Sequence, residues 1–253
     1  MTDETHLQKL LAIMAQLRNP NGGCPWDLEQ TFASLARYTI EEAYEVADAA
    51  QRGHTEDLVE ELGDLLLQVV FYSQIAQEQG LFTFEDVAER VGRKLVSRHP
   101  HVFGDETAKT ANDVVGIWDA RKDLEKAGKE KTSVLDDVPV TLPPLQRAEK
   151  NMKRAGKIGF KFDNAEQARA KFYDELKEFE DTPNKDEYGD VLFSFIAWAR
   201  MAVPDETSSD EALDHANRKF DARFRAMEIL VKDKKPASAE EWVSLWNKAK
   251  AGL

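Results

Sequence analysis

The chain has 253 residues, 42% of them hydrophobic and 32% charged, a globular composition long enough for one large core or two modest ones. Its net charge of -13 at pH 7 excludes a nucleic-acid polymer as the main partner, because phosphate tracking needs clustered lysine and arginine, but it admits a single nucleotide carried with divalent cations. The lone Cys24 excludes an intrachain disulfide framework, no apolar run approaches the roughly 20 residues of a membrane span, and the first residues lack the basic start of a signal peptide, so a cytoplasmic location is expected.

Along the chain the apolar residues recur at three and four, with no run of strand alternation, which predicts an all-α fold. The stretch TIEEAYEVADA at 39–49 sets Glu41, Glu42 and Glu45 within a half-apolar helix. In 58–76, Leu58, Leu62, Leu65, Val69 and Tyr72 form one helical stripe, widened by Leu66, Val70 and Ser73. Gly80 is suited to close that helix, and Thr83 with Asp86 to cap the next, over 84–98, which stops before Pro100. RHPHVFGDETAKT reads as a connector and 112–126 as a further helix. Pro139, Pro143 and Pro144 then interrupt the pattern, Pro144 being able to open a helix as its first residue. The expected organisation is a helical domain over 1–125, a linker over 126–144 and a second helical domain over 145–253.

The two halves repeat each other. The first carries Glu42, Glu45, Glu61 and Asp64, then Lys94, Arg98 and Trp118; the second carries Glu175, Glu178, Glu187 and Asp190, then Lys219, Arg223 and Trp246. Each half has E-x-x-E, a gap, E-x-G-D and K-x-x-x-R in that order, and the leaders GCPWD (23–27) and GFKFD (159–163) echo each other. A repeated order of polar positions points to duplication of a site as well as of a scaffold.

Residues three or four apart share a helix face, so each carboxylate pair points one way, and two such helices packed antiparallel would bring four carboxylates together. That much negative charge requires a cation, and an oxygen-only donor set favours Mg²⁺ or Mn²⁺ over zinc. A neighbouring lysine–arginine pair suits polyphosphate, and a tryptophan could stack on a base. The combination suggests hydrolysis of a nucleotide phosphoanhydride by an activated water whose proton passes to a carboxylate. Seen once, a Glu-rich face or a K-x-x-x-R helix is usually a solvated surface, and a tryptophan usually a packing residue; recurrence in order is what lifts the first two above that reading. His99 and His101 alternate in a proline-containing loop with no third ligand nearby, and Cys24 reads as a loop residue.

CPWDLEQTFASLARYTIEEAYEVADA, EELGDLLLQVVFYSQIA and RHPHVFGDE closely resemble the MazG nucleoside triphosphate pyrophosphohydrolases; LDDVPVTLPPLQRAEKNMKRAGKIGFKF and HANRKFDARFR extend the resemblance to the tandem-domain form, over about residues 5–250. The resemblance implies helix-bundle domains that pair, usually as a homodimer, and Mg²⁺-dependent cleavage of nucleoside triphosphates between the α and β phosphates to monophosphate and pyrophosphate. It makes the eight repeated carboxylates metal ligands. It gives catalytic work to Glu41, Glu42 and Glu45 and to Asp174, Glu175 and Glu178. Lys219, Arg223 and Trp246 match its nucleotide-contacting positions, with Lys94, Arg98 and Trp118 as their repeats. The second half departs from the pattern: Asp174 stands where the first half has Glu41, and eight residues rather than fifteen separate the two carboxylate pairs. An asparagine frequent in tandem members is replaced in both halves, by Phe71 and Ala197. Which half is active is open at this level.

Two other classes compete. A di-iron carboxylate oxidase would need E-x-x-H pairs, and none of the five histidines follows a glutamate by three. A nucleotide-binding or Mg²⁺-holding protein without turnover would carry the same residues and differ by giving no Mg²⁺-dependent product.

Overall fold

Capping residues fix where most of the helices begin. In the computed structural model, which describes residues 5–126, 132–203, 207–231, 236 and 238–252, Thr5, Thr31 and Thr83 each accept a hydrogen bond from the backbone N–H three residues on and donate their own backbone N–H to the side chain of that residue, forming capping boxes. Asn164, Asn184 and Ser238 cap three helices of the second half; each such cap is worth about 1 kcal/mol. Among the described residues there are twelve helices and no strand: α1 (His6–Leu17), α2 (Pro25–Glu29), α3 (Phe32–Arg52), α4 (Thr55–Glu78), α5 (Phe84–Arg98), α6 (Pro100–Phe103), α7 (Ala111–Lys126), α8 (Pro144–Lys157), α9 (Ala165–Asp181), α10 (Lys185–Ala202), α11 (Ser209–Val231) and α12 (Ala239–Ala251). The fold is all-α.

The chain divides into two units, Met1–Lys129 and Glu130–Leu253. Of the expected linker 126–144, residues 127–131 lie outside the described residues. Residues 132–143 run as turns, with Asp136 accepting from the backbone N–H groups of Thr132 and Ser133, and Pro144 opens α8.

In the first unit α3 and α4 form an antiparallel hairpin. Its turn needs Gly53, whose φ of 70° is left-handed and closes α3. Met14, Leu35, Val70, Phe71 and Ile75 make the core where α1 crosses the pair; each such side chain contributes about 1.5–3 kcal/mol on burial. Arg18, itself buried, donates to Glu78 (2.9 and 2.7 Å) and to the carbonyls of Asp27 and Gln30, fastening the end of α1 to α4 and α2. α5 then packs on α4 and α7. The second unit repeats this order with the α9–α10 hairpin, α8 beside α10 and α11, and α12 on α11.

One expectation changes. The connector after Arg98 contains a short helix, because Pro100 supplies the preset φ of a first helical turn. Cys24 is a loop residue as expected, directly before α2. The stripe on α4 also divides: Val70 and Ser73 are buried, whereas Leu62, Leu66 and Val69 remain exposed together with Val59. α4 is apolar on more than one side, and the first unit covers only one of them.

Candidate active site

In the first unit Glu45 lies seven residues before the end of α3 and Glu61 six after the start of α4, so the two stand at equal depth below the hairpin turn. Oxygens of Glu42, Glu45 and Glu61 accordingly come within 4.8 Å of one another. Desolvation, then Asp64 and Glu45, push the Glu42 carboxyl above its ordinary range. Desolvation, then Glu45 and Asp64, raise Glu61 as well. Asp64 is thus a close neighbour of the trio without belonging to it. Glu41 is exposed on α3 and outside the trio. Among the described residues no protein cation forms an ion pair with this quartet.

The second unit builds a similar group nearer its turn. Glu178 is three residues before the end of α9 and Glu187 two after the start of α10. The shorter connection has removed outer helical turn from both arms and kept the faces opposed. Glu175, Glu187 and Asp190 converge within the same 4.8 Å, with Glu178 and Asp174 exposed beside them. Desolvation, then Glu178, Asp190 and Glu175, raise Glu187. Here a cation is already present: Lys171 forms an ion pair with the buried Glu175 one turn along α9, which lifts the Lys171 pKa. Sequence reasoning missed Lys171, although its i, i+4 spacing to Glu175 is a helix-face signal.

The basic residues diverge more. Lys94 and Arg98 share a face of α5, but Arg98 is occupied: its guanidinium donates two bonds to Glu125 (3.1 and 2.5 Å) and lies 5.0 Å from the centre of the Trp118 ring. His99 meets the same ring edge-on at 5.0 Å, so Trp118 serves as a packing surface, and His99 and His101 stand 5.5 Å apart in no metal-ligating group among the described residues. In the second unit Lys219 is exposed and Arg223 half-buried on α11, and neither has a hydrogen bond or ion pair among the described residues. Trp246 of α12 rests against Phe220 of α11 at 5.3 Å, which sets its ring beside the helix that carries the pair. At the two positions lacking the asparagine, Phe71 is buried in the first core under Arg18, and Ala197 offers no polar atom.

Each hairpin therefore offers converging oxygen donors from two helices, a set that fits a hard divalent ion. Residues 30–103 match the family model of the MazG nucleotide pyrophosphohydrolase domain. Over 234 residues the chain is 44% identical to a nucleoside triphosphate pyrophosphohydrolase of Escherichia coli K12, covering 89% of this chain and 88% of that protein. It is 39% identical over 253 residues to the nucleoside triphosphate pyrophosphohydrolase/pyrophosphatase MazG of Thermotoga maritima, covering 97% and 96%. A nucleoside triphosphate pyrophosphohydrolase of Mycobacterium tuberculosis matches 59% of the chain at 45% identity, over 44% of its own length. With near full-length coverage of two such relatives, the chain belongs to the MazG nucleotide pyrophosphohydrolase family.

Proposed function

We propose that this phosphoanhydride hydrolase cleaves nucleoside triphosphates between the α and β phosphates, with Mg²⁺ as its metal and Mn²⁺ as a substitute, and that the second unit carries the turnover. The observation that supports this most is the pairing, in one unit, of a converging carboxylate trio with a lysine–arginine pair that has no ion pair among the described residues. Glu175, Glu187 and Asp190 would hold the metal, and Glu178 would complete its shell from the exposed side. When bound, the metal would neutralise the trio and polarise the phosphate under attack. Asp174 lies one turn before Glu178 on the same face of α9, and both raise the pKa of Lys171; Asp174 would take the proton of the attacking water, as Glu41 would in the first unit. Lys219 and Arg223 would receive the phosphates that leave as pyrophosphate, and Trp246 would stack on the base. In the first unit Glu42, Glu45, Glu61 and Asp64 would hold metal, with Lys94, Arg98 and Trp118 not engaged in turnover.

The chain would act as a homodimer. Val59, Leu62, Leu66 and Val69 make an exposed stripe on α4, and Tyr188, Leu192 and Phe195 another on α10. A second copy supplies apolar surface matched to both.

Product analysis tests the reaction. With Mg²⁺ and a panel of nucleoside triphosphates, monophosphate and pyrophosphate should form in equal amounts, and Glu187→Gln should abolish both. Diphosphate and phosphate as products would overturn the cleavage assignment. Light scattering on Leu66→Asp should report half the mass of the wild type; an unchanged mass would remove the α4 face from the dimer.

A further inference from the structure

Among the described residues Arg98 and Arg223, which are repeats of each other, have opposite fates, and one carboxylate accounts for the difference. Glu125 projects from α7 onto the face of α5 that bears the basic pair. It accepts both bonds from Arg98, and Lys94 is near enough to lower its pKa after Arg98 itself. Ordinary surface ion pairs contribute little and break easily. This one is better built: the Arg98 side chain is only 11% exposed, its guanidinium is gripped by both carboxylate oxygens, and its flat face lies over Trp118. Trp118 is in turn pinned by His99. A carboxylate gripped by the arginine of a K-x-x-x-R helix, with the lysine of the pair near and the tryptophan against the guanidinium, takes the place that a phosphate would take. The repeat has nothing comparable in its sequence: Glu125 stands seven residues beyond Trp118, and the residue seven beyond Trp246 is Leu253.

We propose that Glu125 is an internal stand-in for the triphosphate, occupying the basic pair of the first unit and excluding nucleotide from it. The inference rests on the reading of the repeated lysine and arginine as phosphate contacts. It makes the first unit a metal-holding copy whose phosphate subsite is closed by its own chain, and it makes that closure removable at a single residue.

The experiment uses the full chain with Mg²⁺ and an α,β-methylene nucleoside triphosphate, binding being read by calorimetry and folding by circular dichroism. Arg223→Ala alone should lose binding at least about ten-fold, the cost of one charge-assisted contact. Adding Glu125→Ala to Arg223→Ala should restore it, and a further Arg98→Ala should remove it again. Glu125→Gln keeps a hydrogen-bond acceptor for Arg98 and covers the case in which the alanine variant unfolds; with its charge gone it should restore binding in part. If Arg223→Ala loses binding and neither folded Glu125 variant restores it, Glu125 is no stand-in and the phosphate reading survives. If Arg223→Ala binds like the wild type, the phosphate reading itself fails and the inference falls with it.

Discussion

In the first unit Glu42, Glu45 and Glu61 meet with no protein cation paired to them among the described residues, while Arg98 is already held by Glu125 and Trp118. In the second, Lys171 has reached Glu175, while Lys219 and Arg223 have no ion pair among the described residues. One order of residues thus gives two charge states of the same scaffold: acids waiting for a cation in one copy, bases waiting for an anion in the other. A triphosphate carried with Mg²⁺ needs both, and the Lys171–Glu175 pair is the easier obstacle to clear. The Lys171 side chain is 48% exposed, so its swing into solvent costs little. Arg98 cannot leave so cheaply, because it would abandon a two-pronged partner and a ring face together.

The contrast is most directly broken at the carboxylates. Glu187→Gln should lower Mg²⁺-dependent pyrophosphate release by about 100-fold or more, as expected for loss of a metal ligand, with Glu45→Gln near wild type. Equal loss in both would mean that the units work as one site. At the basic pairs, Arg223→Ala should reduce kcat/KM by about 10- to 100-fold and Arg98→Ala by much less. A larger loss from Arg98→Ala would reverse the assignment of the working unit.

The pH dependence sharpens the metal reading. Glu42, Glu61 and Glu187 have raised pKa values in the folded protein, so the metal-free fold binds protons more tightly there than the unfolded chain does. Their contribution to stability is full below the ordinary glutamate value and is lost as pH rises through the raised values. Mg²⁺ favours the ionised forms, so its stabilising effect should be greatest near neutral pH and fade as pH falls through that raised range. Thermal melts with and without Mg²⁺ measure it; a shift that persists down to the ordinary glutamate range would place the metal elsewhere. The smallest effect is expected at Lys171. Lys171→Ala should tighten Mg²⁺ binding about two- to five-fold by removing a competing cation, and weaker binding in a titration would show that the lysine supports the site.

The helices and their ends were legible because their signals are local. Thr83 with Asp86, Gly80 and Pro144 each act within one turn of their own position, and each acts as read. The convergence of the carboxylates was legible for a related reason, since two helices joined by a short turn have little choice but to pack antiparallel. The fates of Arg98 and Trp118 were not. Arg98 and Glu125 are 27 residues apart, and nothing in the spacing says that a charged residue on α7 will turn toward α5. The exposure of Leu62 and Leu66 was hidden too, because periodicity marks an apolar face without saying what covers it.

The depth of each carboxylate group below its turn has a consequence for motion. Helix ends fray, and the second trio includes Glu187, whose backbone N–H is one of the two that the Asn184 cap holds at the start of α10. A metal drawn to Glu187 therefore also ties down the tip of its hairpin. Amide hydrogens around 182–187 should exchange slowly with Mg²⁺ present and quickly without it. The turn at Gly53, about two helical turns from Glu45, should exchange alike in both conditions. Metal occupancy of the second unit would then be readable as a local slowing of exchange, independent of any product formed.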